Sequence, residues 1–81
     1  MPPKRITTVK QLQKLCQKEN GLECFILLNG GMRSSKTISY DLDGLFYVFN
    51  EIDGSDDEFT EQQLINSFIG EALKGKALFA Y

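Results

Sequence analysis

Glu23-Cys24-Phe25-Ile26-Leu27-Leu28-Asn29-Gly30-Gly31-Met32-Arg33-Ser34-Ser35-Lys36-Thr37-Ile38-Ser39-Tyr40 contains two strand-like runs hinged on a glycine pair. The first, Glu23 to Asn29, is almost continuously apolar, as in a central strand covered on both faces. After the glycines, residues 33 to 40 alternate, with Ile38 and Tyr40 on one side and Thr37 and Ser39 on the other, the pattern of a half-exposed strand. The segment predicts a hairpin whose tip presents Arg33 and Lys36 on either side of Ser34 and Ser35.

Upstream, Thr8 is placed to cap a helix with Gln11 completing the motif, and Val9, Leu12, Leu15 and Cys16 recur at helical spacing. Asn20-Gly21 supplies a left-handed stop. Residues 1–6, which carry both prolines and two cations, are expected to form a flexible N-terminal arm, leaving residues 7–81 as a single domain.

Downstream, Asp41-Leu42-Asp43-Gly44 is a turn, and Leu45 to Asn50 is a third strand, so that three strands with short connections predict an antiparallel meander. Residues 51–58 are expected to form an acidic loop. Thr60 then caps a second helix, Gln63 completes a capping box and Phe59 is set to staple onto Leu64. Leu64, Ile65, Phe68, Ile69, Ala72 and Leu73 make an amphipathic stripe. Gly70 inside that stripe predicts a break near Asn66-Ser67, with Ser67 capping a second short helix. Lys74-Gly75-Lys76 ends it, and Ala77 to Tyr81 is a last strand. The expected fold is a small α+β domain of order α-β-β-β-α-β, an antiparallel sheet with its helices on one face.

The 81 residues are 42% hydrophobic and 25% charged, with a formal net charge of −2, a composition that belongs to globular rather than disordered chains. A chain of this length buries only about 60% of the surface its unfolded form exposes, which leaves no room for a deep cleft between lobes. The longest apolar run, Cys24 to Leu28, is far short of a membrane span, and the basic N-terminus lacks a following apolar region. Cys16 and Cys24 lie among apolar neighbours and read as free buried thiols. A disulfide would require Cα atoms closer than about 7 Å, and two thiols without histidine do not complete a zinc site. A cytoplasmic setting is expected.

The chain has no histidine, which removes the commonest neutral-pH acid/base and the commonest catalytic metal ligand. Its Gly-Gly-Met-Arg-Ser-Ser-Lys order reverses that of a phosphate loop and leads into a strand, not a helix. A serine activated by Lys36 is weighed against the alternation of a strand, which points neighbours to opposite faces. No catalytic residue, cofactor, metal or small-molecule substrate is indicated.

Charge is divided along the chain. Lys4, Arg5, Lys10, Lys14, Lys18, Arg33 and Lys36 precede residue 40 against Glu19 and Glu23, whereas Asp41, Asp43, Glu51, Asp53, Asp56, Asp57, Glu58 and Glu61 run uninterrupted by a cation. The hairpin cations read either as guards of a solvated edge or as a contact for an anion or acidic surface. The acidic segment reads as a solvated loop beside a helix N-terminus, as an incomplete calcium loop through Asp53, Ser55 and Asp57, or as a phosphate-like face for a basic groove. Among Tyr40, Phe46, Tyr47, Phe49 and Tyr81, alternation puts Phe46 and Val48 on one face and Tyr47 and Phe49 on the other. One aromatic set therefore faces away from the helices, as at an interface.

Phe25 to Tyr40, with its Leu28-Asn29-Gly30-Gly31 and Arg33-Ser34-Ser35-Lys36 strings, followed by Phe49 to Gly54, Thr60 to Leu64 and Ile69 to Leu73, resembles a group of short proteins encoded by phage, prophage and other mobile elements. The similarity spans most of residues 7–81. It implies a bacterial cytoplasm and a small binding protein directed at host machinery, and brings no established activity or site residues. The expectation is a non-catalytic binding module docking on a host or phage protein, or self-associating, through Arg33, Ser34, Ser35, Lys36, Tyr47 and Phe49. The alternative is a nucleic-acid binder using the basic first half and the Arg33–Lys36 hairpin, which the sequence pI of about 5.0 and the lack of an RNA-binding aromatic motif disfavour.

Overall fold

The glycine pair bends the chain as its sequence demands. In the computed structural model, which describes residues 2–81, Gly30 and Gly31 both have φ of 83°, a region costly for residues with a Cβ. They close a short 3-10 turn, Asn29–Gly31, between strands β2 (Leu22–Leu27) and β3 (Arg33–Tyr40). The two strands pair antiparallel from Leu22 opposite Ile38 to Leu27 opposite Arg33. The turn Asp41–Gly44 then leads into β4 (Phe46–Asn50), which pairs antiparallel with β3 and completes the expected meander.

Two further strands extend it. Lys4–Ile6 forms β1, paired antiparallel with the last strand, Leu78–Ala80, and Asp56–Phe59 forms β5, paired antiparallel with β4. With Leu78–Ala80 as β6, the sheet has six strands in the order β1-β6-β2-β3-β4-β5, all neighbours antiparallel. The flexible arm expected over residues 1–6 is corrected here for residues 4–6, whose Ile6 is fully buried; Met1 lies outside the described residues. The acidic segment is likewise a loop only until Ser55, after which its backbone joins the sheet. Both strands escape hydrophobic patterning for one reason: as three- and four-residue edges they need a single apolar residue each, Ile6 and Phe59, and a neighbour's backbone groups supply the rest.

The helices form where their caps predict. Helix α1 (Val9–Lys18) starts at Thr8, whose side chain accepts from the Gln11 amide, while Gln11 Oε1 accepts from the Thr7 amide at 3.0 Å. Helix α2 (Glu61–Ile65) has a full capping box between Thr60 and Gln63. Ser67 caps α3 (Phe68–Lys74), so the amphipathic stripe is broken at the expected place. Leu12 and Cys16 of α1, Leu64 of α2 and Ile69, Ala72 and Leu73 of α3 close one core with Ile6, Leu22, Cys24, Ile38, Phe46, Val48, Leu78 and Ala80. The sheet residues in that core share one parity along their strands, so all three helices cover one face. Each fully buried Leu, Ile or Phe there is worth about 1.5–3 kcal/mol of transfer free energy. The opposite face carries no helix, and it sets the chemistry of the molecule.

Candidate functional site

Strand parity sorts the expected site residues onto two sides of the sheet. Arg33 and Ser35 lie on the open face together with Tyr47 and Phe49, whereas Ser34 and Lys36 share the helix-covered side with Ile38. The hairpin therefore does not present Arg33 and Lys36 as a pair, which corrects the reading of the tip. Residues three apart in a strand differ in parity and point to opposite faces.

Lys36 is only 4% exposed. Its Nζ donates to Ser34 Oγ at 2.9 Å and lies 5.4 Å from the centre of the Phe68 ring. Burial lowers its pKa from the ordinary lysine value, and attraction to Asp53 opposes that shift. The long aliphatic stem fills space beside the core while the ammonium finds a hydroxyl and a ring face. A Ser–Lys contact of this kind is the geometry of an activated nucleophile, but Ser34 is 8% exposed and its lysine is covered by Phe68. Their place is under the helices, not in a substrate path.

On the open face a different group assembles. Arg33 lays its guanidinium 4.4 Å from the Phe25 ring centre and 6.0 Å from that of Tyr81. Phe25 stacks on Phe79 at 5.2 Å with rings 13° apart and meets Tyr81 at 4.7 Å, while Arg5 lies 5.3 Å from the Phe79 ring. The run Arg5–Phe79–Phe25–Arg33 crosses β1, β6, β2 and β3, a stacked pair of rings flanked at each end by a cation on a ring face, the contacts that aromatic quadrupoles favour. Phe25 is 2% exposed although no helix covers it, so its neighbours on the sheet supply its shelter. The Ser35 hydroxyl lies 3.2 Å from that of Tyr81, tying β3 to the end of the chain.

Sequence reasoning found Arg33 but missed Arg5, Phe25 and Phe79 as its companions. The signal was available in parity: Phe79 alternates with the core residues Leu78 and Ala80, as Phe25 does with Cys24 and Ile26. What the sequence does not show is that β6 inserts between β1 and β2.

The far end of the same face is acidic. Asp56 and Glu58 on β5 are exposed and pair in register with Phe49 and Tyr47 of β4. The Tyr47 phenol donates to Asp43 Oδ2 at 2.7 Å, and the Leu45 amide donates to Asp43 Oδ1 at 3.0 Å. The phenol holds the Asp43 carboxyl below its usual pKa, and the carboxylate in turn pushes Tyr47 up to about 12. Tyr47 is thus a fixed, half-buried feature of the face, while Phe49 is 38% exposed beside it. Thr37 Oγ1 donates to Glu51 Oε1 at 3.3 Å between them and the basic end.

The remaining charged residues do not join this face. Lys10, Lys14 and Lys18 are exposed on α1, whose buried residues rest on the other side of the sheet. The basic half of the sequence is therefore not a basic half of the molecule. Asp53 accepts from both the amide and hydroxyl of Ser55, at 2.9 and 2.7 Å, while Asp57 belongs to β5. Among the described residues no group of three or more acidic or thiol side chains is placed to hold a metal ion, and no helix is long and apolar enough to cross a membrane. Cys16 and Cys24 are free and buried, and burial pushes each thiol up to about 12.

No protein-family model, curated protein or solved structure matches this chain.

Proposed function

We propose that the protein is a small non-catalytic binding module that docks on a host or phage protein through the open face of its sheet. The observation that carries this reading is the helix-free face itself, where an aromatic group under two arginines shares one surface with Phe49, Tyr47 and an acidic strand. Rings and arginines are the residue types that dominate protein–protein contacts, and opposed charge at the two ends gives such a surface orientation. The resemblance to short mobile-element proteins points the search at a bacterial host or phage partner.

A nucleic-acid partner is the weaker reading. It needs cations along one path, whereas Lys10, Lys14 and Lys18 are on the helix side, Lys36 is buried, and the path beyond Arg33 runs towards Asp56 and Glu58. Phosphates would meet repulsion across half of the face.

The test is affinity capture from a bacterial lysate with and without nuclease, comparing the wild type with Arg33→Glu and with Lys14→Glu on the outer side of α1. A protein captured regardless of nuclease, lost with Arg33→Glu and kept with Lys14→Glu, is the expected result. Capture that disappears with nuclease, or that follows Lys14 instead of Arg33, overturns the reading.

A further inference from the structure

The strand order gives the open face a symmetry that selects an occupant. A two-fold axis lying against the face, parallel to the strands and midway between β2 and β3, sets β1 of one copy over β5 of the other, β6 over β4, and β2 over β3. Arg5 on β1 then opposes the Asp56 and Glu58 strand. Phe79 on β6 opposes the Tyr47 and Phe49 strand, while β2 over β3 sets Glu23 at the level of Thr37 and Leu27 at the level of Arg33, a pairing neutral in charge. The two outer pairings of columns are favourable, basic on acidic and ring on ring, and the central one is neutral.

An in-plane axis perpendicular to the strands would set each column over its own copy, basic on basic and acidic on acidic. Charge therefore discriminates between the two stacked arrangements. We propose that the open face is covered by the same face of a second copy of this chain, packed sheet on sheet with the strands closely aligned, as a closed two-fold dimer. The proposal rests on reading this face as a protein interface and names what occupies it when the host or phage partner is absent.

The dimensions fit a modest dimer. Six strands spaced about 4.8 Å apart make a face about 24 Å across, and stacked sheets sit about 10 Å apart. A patch of that size buries on the order of 1,000 Å² in all, at the lower limit of specific interfaces, so a dissociation constant of roughly 10–100 μM is expected. Such a pair is exchangeable, and a partner with a better fit displaces it. The competing association is edge to edge, basic β1 of one copy against acidic β5 of the next, and that contact is head-to-tail and does not close.

Sedimentation equilibrium of the full chain from about 5 to 500 μM separates these cases, a range set to bracket the expected constant. Arg5→Glu reverses the basic column, and Asp56→Lys/Glu58→Lys reverses the acidic one. Each variant alone then opposes like charges across the axis, while a mixture of the two restores every pairing. The expected result is a wild-type dimer, at least tenfold weaker self-association in either variant, and dimers again in the equimolar mixture. A wild type that stays monomeric throughout, that grows beyond dimers, or whose variants do not rescue one another overturns the proposal.

Amide resonances of the wild type followed on dilution give a measurement that needs no variant. Shifts concentrated on β1, β6, β4 and β5 support the dimer, and shifts on the helices oppose it. A monomeric wild type that still loses its captured lysate protein on Arg33→Glu rejects the self-pair and leaves the docking reading standing. A dimer rescued by mixing, with no lysate protein captured, rejects host docking alone.

Discussion

Lys36 is where the protein departs furthest from what its sequence advertises. An ammonium that is 4% exposed, partnered by one serine hydroxyl and a ring face, is retained at a cost, because burial disfavours its charged form. The sign of its pH dependence follows. Its folded-state pKa lies below the unfolded value of 10.5, so the unfolded chain binds more protons between the two values and stability from this group rises with pH across that interval. Below the interval the penalty is present in full, and above 10.5 it is gone. Lys36→Met is therefore expected to stabilise the fold by about 1 kcal/mol at pH 7, an advantage that shrinks as the pH approaches 10.5. Urea unfolding of both proteins at pH 7 and pH 10 measures it, and a variant less stable than wild type at pH 7 would sink this account. The inward direction of Lys36 was legible, since it has the parity of Ile38 and Tyr40. Sequence proximity to Arg33 and the habit of placing lysine outside concealed it.

At the scale of elements, the best-read parts are those whose signals are local. The Thr8 cap, the Thr60–Gln63 capping box, the Ser67 break and the β2-β3-β4 meander depend on residues within a few positions of one another, and they form as their patterns indicate. Gly70 adds a requirement that its sequence neighbours only hint at. Where α2 hands over to α3, a Cβ on residue 70 would overlap the Ile65 carbonyl and its backbone carbon. Those are main-chain atoms, so a rotamer change relieves nothing, and the two helices must separate. Gly70→Ala, which in an ordinary helix gains about 1 kcal/mol from propensity, is expected here to cost about 3 kcal/mol or more. Thermal unfolding followed by circular dichroism checks it. A melting temperature equal to or above that of wild type would show that the α2–α3 junction has room for a methyl group.

The whole molecule depends on pairings that no local signal announces. Strand β1 is held by β6 across nearly the full length of the chain, and the cluster of Arg5, Phe79, Phe25, Arg33 and Tyr81 exists only once those strands are neighbours. That is why half of the candidate site was visible in advance and half was not: alternation alone sets Tyr47 and Phe49 on the face opposite Phe46 and Val48, whereas Arg5 and Phe79 reach it through a long-range insertion. The same insertion makes the first strand structural. Removing residues 1–6 takes away the fully buried Ile6 and leaves β6 as an unpaired edge, and it is expected to cost about 3 kcal/mol or more. Denaturant unfolding of the shortened chain would read this loss, and unchanged stability would mean that Lys4–Ile6 is not integral to the sheet.

Lys4 stands opposite Ala80 in that antiparallel pair, so the chain returns at its end to the strand from which it set out. A short glycine-rich bridge would span this separation and seal the backbone into a ring, which could then be reopened at Asp53-Gly54, in the exposed turn between β4 and β5. Every strand would keep its neighbours, while the order in which a ribosome delivers them would change. The architecture belongs to the ring of contacts, and the position of its first residue is a matter of manufacture.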